Sequence, residues 1–174
     1  MPECYIDSTL VGSLLDAKVS HKHSCNEVAK EMKKGKYKDS FAVGIIDNDK
    51  REISYIDEFD EIGRTNNLVF LKHRDKHHFI IKIGKEHKAM ESFLKANVEA
   101  MGKSMGDFGL PSNLHDLIEA TKNSVTTPKD PKILKLCKAM DQSPEGAKLK
   151  MVLDYLVTNK YNVDIETLKE IINS

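Results

Sequence analysis

The chain has 174 residues, 40% hydrophobic and 31% charged, a balance that excludes a disordered chain and a bundle of membrane spans. Lys and Arg number 27 against 27 Asp and Glu, so the molecule as a whole is not a polycation built for nucleic acid. A chain of this length buries roughly two-thirds of the surface it exposes when unfolded, enough for one domain without a disulfide or metal staple.

The first apolar run, Cys4-Tyr5-Ile6, is short and β-prone. It predicts a strand that runs through Asp7 into a helix carrying Leu10, Val11, Leu14 and Leu15 at helical spacing. Ser24 and Glu27, three apart, predict a capped second helix with Val28, Ala29 and Met32 buried, ending at Gly35. Phe41 to Ile46 is a continuous apolar run rich in β-branched residues, which predicts a strand buried on both faces at the centre of a parallel sheet. The segment after it, through Ile62, carries no clear period. Leu68–Leu71 and His78–Ile83 flank Arg74-Asp75-Lys76 and predict a hairpin. A helix follows from Lys85 to about Met101, then a break at Gly102, Gly106 and Gly109.

The last third reads as helices, entered at Pro111-Ser112-Asn113, Asp130-Pro131, Ser143-Pro144 and Asp164. The expected architecture is therefore α/β: a small central, mostly parallel sheet flanked by helices, with a helical C-terminal third. Residues 1–102 form the α/β part and 103–174 a helical extension packed on it. No apolar run reaches the ~20 residues of a bilayer span, and Met1-Pro2-Glu3-Cys4 lacks the order of a signal peptide, so no membrane is involved and the cytoplasm is the expected compartment.

The residues that suggest chemistry are acids at strand ends, where α/β sheets collect ligands. Asp47 and Asp49 lie beyond the buried strand, at positions i and i+2 where the chain leaves the pleat, and Asp7 falls at the end of the first predicted strand. Three such carboxylates make a hard, oxygen-only donor set suited to Mg²⁺ or Mn²⁺, with Glu3 as a weaker member. The plain alternative is that these Asp residues cap helices and turns. Lys50 and Arg51 follow directly and suit a phosphate. A basic strip containing Lys72, Arg74 and Lys76 suits a phosphodiester backbone, or else a solvated hairpin face.

Glu3-x-x-x-Asp7-x-x-Leu10, followed by Val43-Gly44-Ile45-Ile46-Asp47-Asn48-Asp49, resembles the TOPRIM domain shared by topoisomerases, primases and the nuclease part of OLD-type ATPases. The resemblance covers roughly the first ninety residues. It implies Mg²⁺-dependent phosphodiester chemistry on nucleic acid, with the first-strand acid, Asp7 or Glu3, as general base and the two later Asp residues as ligands. Tyr5-Ile6-Asp7-Ser8-Thr9-Leu10-Val11 is also similar to the opening of PIN-type nucleases. A competing site would draw Zn²⁺ to His21, His23, His73, His77, His78 and His87. The alternative function is a non-catalytic binding or scaffold protein that keeps the α/β core and docks a protein partner through its C-terminal helices. Cys4, Cys25 and Cys137 are too few and too scattered for a disulfide framework or a thiolate zinc site.

Overall fold

The computed structural model describes residues 1–35, 40–48, 53–85, 89–122 and 127–174. Helices α1 (Tyr5–Leu15) and α2 (Cys25–Lys33) precede strand β1 (Ala42–Asp47). A 3₁₀ turn at Ser54–Glu58 leads into β2 (Phe59–Arg64), β3 (Leu68–His73) and β4 (His78–Ile83). The helical part comprises α3 (Glu91–Ala100), α4 (Leu114–Lys122), α5 (Pro131–Ala139), α6 (Pro144–Asn159) and α7 (Ile165–Asn173).

The strand order is β1-β4-β3-β2. β1 runs parallel to β4, with Ala42 beside His78 and Asp47 beside Ile83, whereas β4 to β3 and β3 to β2 are antiparallel. The sheet is therefore mixed, not mostly parallel. The expected hairpin, β3 with β4, is present with Phe70 opposite Ile81. β2 is the strand that periodicity does not reveal. It is charge-rich, exposed at Asp60 and Glu61, and its register shifts between Glu61 and Gly63, so alternation is lost.

The N-terminus differs most from expectation. Tyr5 already begins α1, and the predicted first strand shrinks to one bridge, Pro2 parallel to Ile45. The helix wins because its first turn is held on both sides. Ser8 N–H donates to Cys4 C=O at 3.0 Å, and Asp7, in the first turn, accepts from Cys4 N–H at 3.1 Å. Met1 to Glu3 instead line the outer edge of β1. The Met1 amine donates to Val43 C=O at 2.6 Å, Ile45 N–H to Met1 C=O at 3.1 Å, and Asp47 N–H to Glu3 Oε2 at 3.2 Å.

Alternation along the strands divides the core between two faces. Ile45, Phe70, Ile81 and Ile83 face α1 and the helical third, joining Leu10, Phe93, Leu136 and Leu153 in one cluster. Ala42, Ile46, Leu71 and Ile80 face α2, Tyr55 and Phe59. β1 is thus buried on both faces, as its apolar run predicts, although it stands at the end of the strand order.

The expected helix starts are capped by Ser24, Asp130, Ser143 and Asp164, each accepting a backbone N–H of its own first turn. Glu145, in the first turn of α6, ties the helical third to the sheet by accepting from Thr65 Oγ1, from Asn67 N–H at 3.0 Å and from Asn67 Nδ2 at 2.5 Å.

α2 lies so close to β1 that a Cβ at Gly44 would sit 2.9 Å from both Val28 Cγ1 and Met32 Sδ. Gly44→Val should therefore force α2 off the sheet and destabilise the fold by about 1–3 kcal/mol, an overpacking cost readable as a lower urea midpoint.

Candidate functional site

The carboxyl ends of β1 and β4 emerge side by side, and Asn48 holds them together. Its N–H donates to Ile83 C=O at 3.0 Å and its Nδ2 to Gly84 C=O at 3.3 Å. Asp47, the last residue of β1, is therefore delivered to the same end of the sheet as the chain leaving β4, which returns through Met90 into α3. Met90 N–H donates to Asp47 Oδ1 at 3.1 Å, one of the backbone donors a helix start leaves without an internal partner. Glu3 reaches Asp47 from the opposite side through the bond to Asp47 N–H. Asp7 enters from the first turn of α1, only 1% exposed.

These groups act on one another. Burial, then the charges of Asp7, Glu3 and Glu91, push the Asp47 carboxyl up to about 9, with the Met90 N–H pulling the other way. Burial pushes Asp7 up to about 7, with Glu3 and Glu91 adding to the rise and hydrogen bonding from Cys4 opposing it. Asp7 and Asp47 thus lie at one end of the sheet within electrostatic reach of each other. One atom in this cluster is unsatisfied: Asp7 Oδ1 is buried and has no hydrogen-bond partner among the described residues. Leaving such an acceptor unpaired costs about 1–3 kcal/mol.

Glu91 is a member that sequence reasoning missed. It is 4% exposed and accepts a hydrogen bond from Thr121 Oγ1 of α4. A charged residue near a helix start reads as a solvated first turn. The signal against that reading is its stripe, since Leu94 and Val98 follow three and seven residues later and both are fully buried.

Asp49, Lys50 and Arg51 lie outside the described residues, as does His87. The oxygen-only chemistry of Glu3, Asp7, Asp47 and Glu91, together with the orphan Asp7 oxygen, suits a hard cation. Among the described residues, however, no group of three or more His, Cys, Asp or Glu side chains is arranged to hold a metal ion.

The basic strip takes a different role from the one expected. Arg74 pairs with Asp60 at 3.1 Å and donates to Asp57 C=O at 2.5 Å, and Lys76 pairs with Glu58 at 3.5 Å. Lys72 donates to the carbonyls of His73 and Lys76, with its ammonium 5.6 Å from the centre of the Phe79 ring. Burial holds its pKa below the usual lysine value. The acidic run from Asp57 to Glu61 is thus the partner of the strip. These residues stand at the β3–β4 turn, beside Ala42, so the length of β1, about 17 Å, separates them from Asp47.

The histidines also have partners. His73 Nδ1 accepts from Asp75 N–H at 3.0 Å and Lys76 N–H at 3.2 Å, which leaves its Nε2–H to donate to Glu58 at 3.0 Å. His78 Nδ1 is 2.7 Å from the Tyr55 hydroxyl. Two of the imidazoles expected for zinc therefore knit the hairpin to the 3₁₀ turn. The cysteines are poor nucleophiles: burial, then Asp7, pushes Cys137 up to about 12, burial raises Cys4 strongly, and Cys25 is buried.

No family model, no characterised protein and no solved structure matches the chain. Among the described residues no helix is long and apolar enough to cross a membrane.

The raised acids make stability depend on pH in a definite sense. Asp7 and Asp47 have folded values of about 7 and about 9 against 3.8 when unfolded, so the folded state holds more protons across that interval. Their stabilising contribution is complete below pH 3.8 and is lost as pH rises through 7 and 9. In metal-free buffer, Tm should fall from pH 6 to pH 9. Asp47→Asn, which cannot ionise, should flatten that fall, as thermal melts across the range would show.

Proposed function

We propose that this protein carries out Mg²⁺- or Mn²⁺-dependent phosphodiester chemistry on nucleic acid, with Asp7, Asp47 and Asp49 as metal ligands and Asp7 also serving as general base. The observation that carries this reading is a buried Asp7 oxygen without a partner among the described residues, in a carboxylate that lies within electrostatic reach of Glu3, Asp47 and Glu91. Folding concentrates like charges here at a cost, and the side chains acting most strongly on Asp47 are themselves acids. A divalent cation would offset that repulsion and give the orphan oxygen a ligand. When bound, the ion supplies polarisation of a phosphodiester and a water acidified towards neutrality. The residues do the rest. Glu3 and the Met90 N–H orient Asp47, Thr121 orients Glu91, and Cys4 N–H holds one Asp7 oxygen while leaving the other for the reaction centre. The TOPRIM resemblance of Glu3, Asp7, Asp47 and Asp49 points the same way.

The second reading, a non-catalytic scaffold that docks a protein through its C-terminal helices, also has an observation in its favour. Val157 and Tyr161 are 45% and 51% exposed. Val157 borders an apolar hollow of about 240 Å³ beside β1, lined by Leu15, Phe41, Val43 and Leu153.

Metal titration separates the two. Under the enzymatic reading, saturating Mn²⁺ or Mg²⁺ should raise Tm by about 5–10 °C, because a ligand held a hundredfold above its Kd and bound only to the folded state adds about 2.7 kcal/mol. The rise should vanish in Asp47→Ala. Wild type that melts identically with and without millimolar metal would rule the metal site out and favour the scaffold.

A further inference from the structure

We propose that the nucleic acid lies in a groove between α1 and α5, where Lys18, Lys129 and Lys138 hold its phosphates and the stacked rings of Tyr5 and His21 receive a base. This rests on the phosphodiester reading above and supplies a track apart from the Lys72–Lys76 strip, in which Arg74 and Lys76 are paired with Asp60 and Glu58 and which stands at the other end of the sheet.

The groove encloses about 670 Å³. Ser8 and Gly12 of α1 form its floor, the segment after α1, from Ala17 to His21, forms one wall, and Pro128, Leu134 and Lys138 form the other. Gly12 lets the first wall close in: Ala17 N–H donates to Gly12 C=O at 3.1 Å, and a Cβ at Gly12 would sit 3.0 Å from Ala17 C=O. His21 turns back over Tyr5, with ring centres 4.2 Å apart and planes 16° from parallel.

Three features select a single-stranded phosphodiester chain. The lining carries three lysines against one carboxylate, Asp16. All three lysines are exposed, and none makes an ion pair among the described residues, whereas Lys22, Lys33, Lys34, Lys76, Lys95 and Lys150 all do. The half-buried Tyr5–His21 stack adds a flat apolar surface, and base stacking beside a cationic track is how sequence-tolerant single-strand binding is built. Position completes the argument. Tyr5 and Asp7 both stand in the first turn of α1, two residues apart, so the aromatic end of the groove lies at the same end of the helix as Asp7, which is itself buried and not part of the lining.

The test is fluorescence anisotropy of a labelled single-stranded oligothymidylate, in EDTA so that binding is read without metal or cleavage. The wild-type affinity should fall with salt at a logarithmic slope of about −2, the value for roughly three phosphates on a single strand. The combined variant Lys18→Gln, Lys129→Gln, Lys138→Gln should bind at least about tenfold more weakly with a slope near zero, and Tyr5→Ala should lose roughly tenfold by itself. The variant Lys72→Gln, Arg74→Gln, Lys76→Gln should bind as wild type does. The Mn²⁺-induced rise in Tm, measured without oligonucleotide, should survive in the groove variants. Wild type that fails to bind, or a groove variant that binds undiminished, overturns the assignment even where the metal shift is present. Groove-dependent binding without any metal shift sinks the metal site instead and leaves the groove standing.

Discussion

The parallel pairing of β1 with β4 is the constraint from which the site follows. Two parallel neighbours end on the same side of a sheet, so the chain leaving β1 at Asp47 and the chain leaving β4 at Ile83 emerge together. The crossover between them is filled by β2 and β3, which pair antiparallel and add the rest of the sheet on one side only. The other edge of β1 is left to Met1, Pro2 and Glu3, and that accident of order brings a third acid to Asp47. With β4 running the other way, Met90 and Glu91 would emerge beside Ala42, and the acids would never meet.

Burial and charge compete at this point, and burial prevails. Asp7 lies in the first turn of a helix whose neighbours Ile6 and Leu10 are core residues, so it enters the interior with them. Glu91 is carried in by Leu94 and Val98 in the same way. Cys4 donates to Asp7 and Thr121 Oγ1 to Glu91, bonds that satisfy part of each carboxylate without an opposite charge. The fold accommodates this at Asp7 and Asp47 by holding their protons to higher pH than free carboxyls do.

How much of this is legible beforehand depends on the range of the interactions. The hairpin, the capped helices and the buried β1 run follow from local patterns that tertiary packing did not overrule. The identity of the first element could not be read this way, because Cys4-Tyr5-Ile6 suits a strand as well as a helix and the decision rests on Asp7 reaching back to Cys4 and on Met1 to Glu3 finding β1, forty residues later. β2 is hidden for the opposite reason: it buries little, so no hydrophobic period marks it. Of the acids, Asp47 was legible as a strand-end carboxylate, whereas Asp7, expected at a strand end, stands instead in the first turn of α1. Glu91 was not, because its role depends on α3 folding back over the end of β1.

The same distinction governs charge. A run of lysines and arginines in sequence says how many cations a segment has and nothing about how many remain available. The acidic run from Asp57 to Glu61 and the basic run from Lys72 to Lys76 look like opposite surfaces until β2 pairs with β3, which brings Asp60 to Arg74 and Glu58 to Lys76. The three lysines that line the groove come from places that no window of sequence joins: Lys18 after α1, Lys129 before α5 and Lys138 within it. In a chain of zero net charge, an electrostatic surface for a polyanion can arise only by such segregation, one set of lysines spent against carboxylates so that another stays free.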